Sequence, residues 1–227
     1  MQRINWDRWA PISGVLTVAF LVATFFLPAK SPPNVNDSGA KIAAFATDHR
    51  TALLVSAYLT GVAAFFLLWF VGSLVTRIRD GGERRISVVA LGGGLGVAVV
   101  AFGAVAIQLA IAYSVAEQGD NGVTRGLFTV MWLAPFGFPI AALSGAVAVA
   151  SLRSQFLPRW YGMASGVAAV WFLVAQAALA KHGFMSPTGA ASWIAFLAFL
   201  VWLLVTSVLM LMPARERAPR TVAAPTA

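Results

Sequence analysis

The chain carries two histidines, His49 and His182, and no cysteine. Imidazole titrates near neutrality and is the commonest nitrogen ligand of metals, so acid–base or metal chemistry is sought first at these two positions. His49 stands just ahead of an apolar run that opens near residue 51, and His182 just behind one that closes near 180. Glu117, in the polar stretch EQGDNG, is a third candidate, and Arg50 adds a cation beside His49. A zinc site asks for three or four ligands with outer partners to hold them. His49, Glu117 and His182 would supply the minimum, or would serve as an acid–base set, with Arg50 in the same outer polar group. Nothing in their spacing requires convergence, and the metal such a set would take is not legible. The absence of cysteine excludes thiolate metal sites, iron–sulfur clusters, disulfides and thiol nucleophiles. No GxSxG, HExxH or phosphate-binding loop is present, and GGGLG at 92–96 lacks the strand–turn–helix setting of a nucleotide loop. The residues lean away from an enzyme, and no cofactor is implied.

A second set of polar residues is neutral. Tyr58, Gln108, Tyr113, Thr129 and Gln176 lie in four different apolar runs, Gln108 and Tyr113 sharing one, all in the halves that point to the same side as the histidines. If those runs are neighbours, the five would line a vestibule open to that side. The competing reading is that each glutamine bonds an adjacent helix.

The elements that must position these residues are set by composition. Of 227 residues, 59% are hydrophobic and 11% charged, with a mean hydropathy of +0.81. A soluble domain carries about 25% charged residues, so too little polar surface remains to cover a water-soluble globule. The expected fold is an all-α polytopic transmembrane bundle. Six runs are long enough to cross a hydrocarbon core of about 30 Å at about 1.5 Å per residue. They lie near 10–28, 51–76, 87–113, 126–151, 161–180 and 190–212, with an outer loop over 29–50. The net charge of +8 follows the ends of the runs and does not point to nucleic acid. Eleven basic residues fall on one side: Arg3, Arg8, Arg77, Arg79, Arg84, Arg85, Arg153, Arg159, Arg215, Arg217 and Arg220. Five fall on the other: Lys30, Lys41, Arg50, Arg125 and Lys181. The positive-inside rule then places both termini in the cytoplasm, with Trp9, Trp160 and Tyr161 at the inner interface and Trp132 and Trp193 near the outer one. The first run reads as a retained span, because FFLPAKSPP offers no clear small-x-small cleavage site. The polar, basic, Ala/Pro-rich tail 213–227 reads as disordered.

Within the bundle, Ser13–Gly14–Val15 and Ser165–Gly166–Val167 open two runs that share Phe-Leu-Val-Ala at the same spacing, a pattern that either a helical repeat or chance produces. Small residues four apart mark helix contacts at Gly92 and Gly96, at Gly137, Ala141 and Gly145, and at Gly162 and Gly166. Pro135 and Pro139 remove two backbone donors from the fourth run and predict a kink there. Residues 38–50 carry Ile42, Phe45, Ala46 and His49 on one helical face, with Asp37 or Ser38 as N-cap and no Gly or Pro from 40 to 60. This predicts a helix continuous with the second run, folded over the outer ends of its neighbours and bringing His49 towards Glu117 or His182.

Four stretches, SGAKIAAFATDHR, LLWFVGSLVTRIR, GGGLG and LPRWYGMASGV, resemble those of uncharacterised bacterial six-span membrane proteins grouped only as a domain of unknown function. The resemblance covers most of residues 10–212 and implies a multi-pass protein of the bacterial cytoplasmic membrane, without an activity to carry over. The expected partners are the lipid bilayer and other membrane subunits or a second copy of the chain. Two functions follow. One is a non-enzymatic bundle that acts as an interaction subunit or carries a small neutral or apolar molecule. The other is an outer-face enzyme or a metal or haem binder using His49, Glu117 and His182.

Overall fold

Long apolar runs satisfy their backbone polar groups internally, and the helix is the local way to do so. The computed structural model describes residues 10–27 and 32–212, and these are helical with no strand. Eight α-helices follow in order: α1 Ile12–Thr24, α2 Gly39–Asp48, α3 Arg50–Asp80, α4 Arg84–Ala110, α5 Asn121–Trp132, α6 Gly137–Ser154, α7 Arg159–Gln176 and α8 Ala190–Leu211. A π-helical turn, Ile111–Val115, extends α4. The tail 213–227, Trp9, and the basic residues Arg3, Arg8, Lys30, Arg215, Arg217 and Arg220 lie outside the described residues.

Four segments are long and apolar enough to cross a membrane: Arg50–Asp80, Arg84–Val115, Asn121–Ser154 taken across its interruption, and Ala190–Leu211. α1 is a shorter apolar helix. α7, with Arg159 at one end and Gln176 at the other, has 18 residues and falls short of the four in hydropathy. The fifth run therefore differs from expectation. Its helix stops at Gln176, and 177–189 is irregular.

The helices form a closed ring. α1 packs on α3, α3 on α4, α4 on α6, α6 on α7, α7 on α8, and α8 back on α1. Short connections force antiparallel neighbours, so one end of the ring gathers Arg77, Arg79, Arg84, Arg85, Arg153 and Arg159. There Arg153 Nε bonds Glu83 Oε1 at 3.3 Å. The ring is filled towards this end by Phe70, Leu74, Ile78, Leu143, Leu203 and Met210, all buried. α7 and α8 are tied there by polar groups that the surrounding apolar side chains leave no alternative partner. The Tyr161 hydroxyl donates to the Trp202 carbonyl (2.7 Å) and meets Thr206 Oγ1, and Trp202 Nε1 donates to Ser165 Oγ (3.0 Å).

Close approach between helices uses the small residues. A Cβ on Gly137 would lie 2.6 Å from the Phe172 carbonyl oxygen, and one on Gly162 would lie 2.9 Å from Ser151 Cβ, so the α6–α7 pair depends on both. On α4 the contact with α6 is made by Gly93 and Gly96, against Leu143 and Pro139. Gly92 faces open space, so the predicted Gly92–Gly96 pair is out of phase by one residue at its first member.

The far end carries α2, the π-turn and α5, packed together. Ser38 caps α2, its Oγ accepting from the Lys41 N–H at 3.3 Å. Ile42, Ala43 and Ala46 are buried, and the latter two share a cluster with Ile111 and Ala116. Burying Ile42 contributes on the order of 1.5–3 kcal/mol to this docking. The predicted helix over 38–50 is thus present, but it is not continuous with the next one. The chain breaks at His49 (φ −114°, ψ 24°), because α2 docks on α5 and the π-turn instead of following the axis of α3.

Candidate functional site

The fourth run is interrupted between Trp132 and Gly137, where Pro135 and Pro139 cannot donate. An interrupted helix exposes N–H groups at the start of its second half, and inside a bundle another chain segment must accept them. Gln176, the last residue of α7, supplies the acceptor. Its Oε1 takes the Gly137 N–H at 2.7 Å. The side-chain oxygen is used by this bond, and the amide nitrogen is left without a protein partner among the described residues.

Beside the interruption the ring encloses a cavity of about 430 Å3. α3 lines it with Ser56, Thr60, Ala63, Ala64 and Leu67, and α4 with Val97, Ala101, Ala104 and Gln108. These positions recur at spacings of three and four, each set forming one helical face. α1 contributes Thr17, Leu21, Thr24 and Phe25, and α8 contributes Ser192, Trp193, Ala195, Phe196 and Phe199. The rest of the wall is Trp132 to Ala134 and Phe136 at the break, with Phe172, Ala175 and Gln176 of α7. Among the described residues, no Asp, Glu, Lys, Arg or His lines it.

The polar groups on this wall are few and directional. Gln108 Nε2 donates across to the Leu53 carbonyl (3.0 Å) and to Ser56 Oγ (3.4 Å), which leaves Gln108 Oε1 as an unused acceptor and the Ser56 hydroxyl proton as an unused donor among the described residues. Thr17, Thr24 and Thr60 return their hydroxyl protons to carbonyls of their own helices, at 2.9, 2.6 and 2.9 Å. Trp132 Nε1 is buried with no partner among the described residues. Trp132 also packs edge-on to Trp193 (6.2 Å between centroids), and Trp193 and Phe25 both meet Phe196. A neutral molecule held here would find an aromatic and aliphatic wall with a handful of hydrogen-bonding points, the usual make-up of a small-molecule site.

Of the five residues predicted to line a vestibule, Gln108 and Gln176 lie on this wall. Tyr58, Tyr113 and Thr129 do not: Tyr58 and Tyr113 are 70% and 67% exposed on the outside of the bundle, and the Thr129 hydroxyl bonds the Arg125 carbonyl of its own helix (2.8 Å). Helices that are apolar nearly all round carry little polarity to mark which face turns inward, so the phase of Tyr58 and Tyr113 differs from expectation. Ser56, Thr60, Trp132 and Trp193 were the missed lining residues. Their signal was the run of small and hydroxyl side chains on one face of α3, opposite a matching face on α4.

The outer polar set does not converge as expected. His49 stacks on Phe45 (4.6 Å), and its Nδ1 pairs with the Phe45 carbonyl oxygen at 3.0 Å. Glu117 instead pairs with Arg50, Nη1 to Oε1 at 3.0 Å. Arg50 also donates to the Tyr113 carbonyl (3.3 Å) and lies 5.5 Å from the centre of the Tyr113 ring. His182 is exposed in the segment after α7, next to Lys181, whose carbonyl accepts from the Asn36 side chain. Among the described residues, no three His, Asp or Glu side chains are grouped closely enough to hold a metal, so His49, Glu117 and His182 are not a ligand set. The reason is local: Arg50, one residue beyond the break, reaches the π-turn first and takes Glu117.

Comparison with family models, curated proteins and solved structures finds no match to this chain.

Proposed function

We propose that this protein is a multi-pass protein of the bacterial cytoplasmic membrane that binds and carries a small neutral or apolar molecule in its central cavity. The observation that carries the reading is the cavity itself: about 430 Å3 of space beside a broken helix, with no ionisable side chain on its wall among the described residues. That volume lies within the range of about 300–1,000 Å3 typical of small-molecule pockets. Interrupted helices beside a binding site recur in membrane carriers, where the break supplies backbone groups that a continuous helix hides. In this reading α1, α3, α4, the α5–α6 pair, α7 and α8 are the six crossings, and the arginine-rich end faces the cytoplasm under the positive-inside rule.

Two measurements test the reading. Protein carrying 13C-methyl alanine is placed in lipid nanodiscs and titrated with benzyl alcohol. Saturable shifts of Ala101 and Ala104, with Ala148 at the α6–α7 contact unmoved, are expected, and Ala104→Trp abolishes them. Absence of any saturable shift at the cavity alanines removes the proposal. Orientation is read with single cysteines on the natural cysteine-free background. Gln118→Cys and His182→Cys should react with an impermeant maleimide in intact cells, and Asp80→Cys should not. The reverse pattern would invert the topology.

A further inference from the structure

Four residues both line the cavity and stand exposed at the surface: Phe25 (39%), Leu133 (40%), Leu179 (67%) and Trp193 (39%). They come from the end of α1, the break after α5, the segment after α7 and the start of α8. Among the described residues, the exposed side chains at the rim of the cavity are therefore all apolar, although the rim sits in the half of the bundle that also carries Arg50, Glu117, Asp120 and Lys181. A mouth that opens to water is ordinarily edged by polar side chains, because exposed apolar patches raise the free energy of the surface. A mouth that opens sideways into hydrocarbon has no such requirement, and tryptophan at its edge fits the headgroup level. The hydrogen-bonding groups lie on the opposite wall. Ser56 and Gln108 belong to α3 and α4, which stand across the ring from α7 and α8. There the Gln108 carbonyl oxygen accepts and the Ser56 hydroxyl donates, side by side.

Resting on the carrier reading above, we infer that the ligand is a neutral single-chain amphiphile that enters from the bilayer through the rim formed by Phe25, Leu133, Leu179 and Trp193. Its hydroxyl or carbonyl head bonds Gln108 and Ser56 on the far wall. The head passes first and is desolvated only as it gains these two partners, which offsets the cost of leaving the headgroup region. The chain follows across Ala101, Ala104 and the aromatic rings of α8, and its end remains among the lipids. A charged head would meet no counter-charge among the described residues of this wall, so alcohols, esters or ketones are favoured over fatty acids and phospholipids. A cavity of this size does not have to hold the whole chain, because the lateral opening lets the tail trail outwards.

The test uses the full chain in phosphatidylcholine vesicles containing a long-chain fatty alcohol with a diazirine close to its hydroxyl. After photolysis, adducts are mapped by mass spectrometry. Adducts between Ser56 and Thr60 and between Ala101 and Gln108 are expected, and Gln108→Leu should lower them roughly 2- to 10-fold, the range for one net hydrogen bond. A diazirine alkane without the hydroxyl should label that wall more weakly by the same range. Equal labelling by the alkane overturns the head assignment. Adducts confined to outward residues such as Val99, Val167 and Val201 overturn lateral entry. If that happens while benzyl alcohol still shifts Ala101 and Ala104, the cavity remains a binding site and only the amphiphile is lost. If neither probe reaches the cavity, the carrier reading falls with it.

Discussion

Two helices of this fold are interrupted, and the interruptions differ in kind. At 133–136 the break is chemical. Pro135 and Pro139 lack backbone N–H groups, and the second half-helix is restarted by an acceptor from another helix, Gln176 Oε1 on the Gly137 N–H. At His49 no backbone donor is missing. The His49 N–H still bonds the Phe45 carbonyl and the Leu53 N–H still bonds the His49 carbonyl, both at 3.0 Å. The chain turns there because α2 buries Ile42, Ala43 and Ala46 against α5 and the π-turn. The first break is written into residue types and forms part of the cavity wall. The second is the product of docking and lies beyond the cavity's polar wall. A break at residues that lack a donor needs a dedicated partner, whereas a break among ordinary residues needs a docking surface that turns the chain.

The largest expected effect falls on the first break. Gly137→Val places a side chain 2.6 Å from the Phe172 carbonyl and 2.8 Å from Gln176 Cβ, so α6 and α7 must separate at the cavity. The cost is about 3 kcal/mol, the upper end for an overfilled core. Thermal unfolding in detergent, followed by size-exclusion of the soluble fraction, should show a marked loss. His49→Ala, the matching change at the second break, should leave the melting curve within error. Equal losses from the two would erase the distinction between them.

Gln176→Leu is next. It keeps the volume but strands the Gly137 N–H in an apolar wall, a loss of about 1–3 kcal/mol. Gln176→Glu tests the cause. A carboxylate still accepts the N–H and complements the positive end of α6, so the variant should recover part of the loss above the pKa of the new carboxyl. A Glu variant no better than Leu would mean that the amide acts through packing and not through the bond.

The second break responds weakly and locally. Arg50→Ala removes the Glu117 pair, the Tyr113 carbonyl bond and the ring contact together. Because the paired side chains are 40% and 48% exposed, the pair contributes only about 0–1 kcal/mol. The expected readout is faster amide hydrogen exchange over Gly39–Asp48 with α3 unchanged beyond Tyr58. Loosening that spread to α3 would mean that the turn at His49 is held by the ion pair and not by burial of Ile42.

This contrast also explains what the sequence made legible. The prolines predicted the interruption in the fourth run, since a missing donor is a property of the residue itself. Which amide would cap the break was not predictable, because Gln176 lies 39 residues from Gly137 and the pairing exists only once α6 and α7 pack. Ser38 was readable as a cap and Ile42 as buried, from local spacing alone. The turn at His49 was not, as nothing between 40 and 60 is a helix breaker and the cause sits on α5. Tyr58 and Tyr113 face outward, 70% and 67% exposed, because an amphipathic phenol sits as readily against lipid headgroups as in a bundle interior. The small residues Ser56, Thr60, Ala63 and Ala64 were the better guide to which face of α3 looks inward.

The smallest effect lies at the start of α2, and it bears on whether that helix is held by its cap or by its buried face. The Lys41 ammonium, bonded to Asp37 at 2.8 Å, and then the Asn34 N–H, also at 2.8 Å, hold the Asp37 carboxyl below its ordinary value of 3.8. A carboxyl depressed in the folded state stabilises at pH above its unfolded value and loses that contribution as pH falls through the folded one. The contribution is therefore complete at neutral pH and disappears only below 3.8. The Asn34 amide resonance should titrate in that acidic window, while the Ile42 and Ala46 methyl signals should stay fixed through it. The Asp37 side chain is 26% exposed and its partner Lys41 62%, so the pair is solvent-screened and Asp37→Asn should change thermal unfolding little at pH 7 and abolish the Asn34 titration. Movement of the Ile42 methyl with the same midpoint would show that the cap governs the docking of α2, and that the turn at His49 depends on a polar contact twelve residues away.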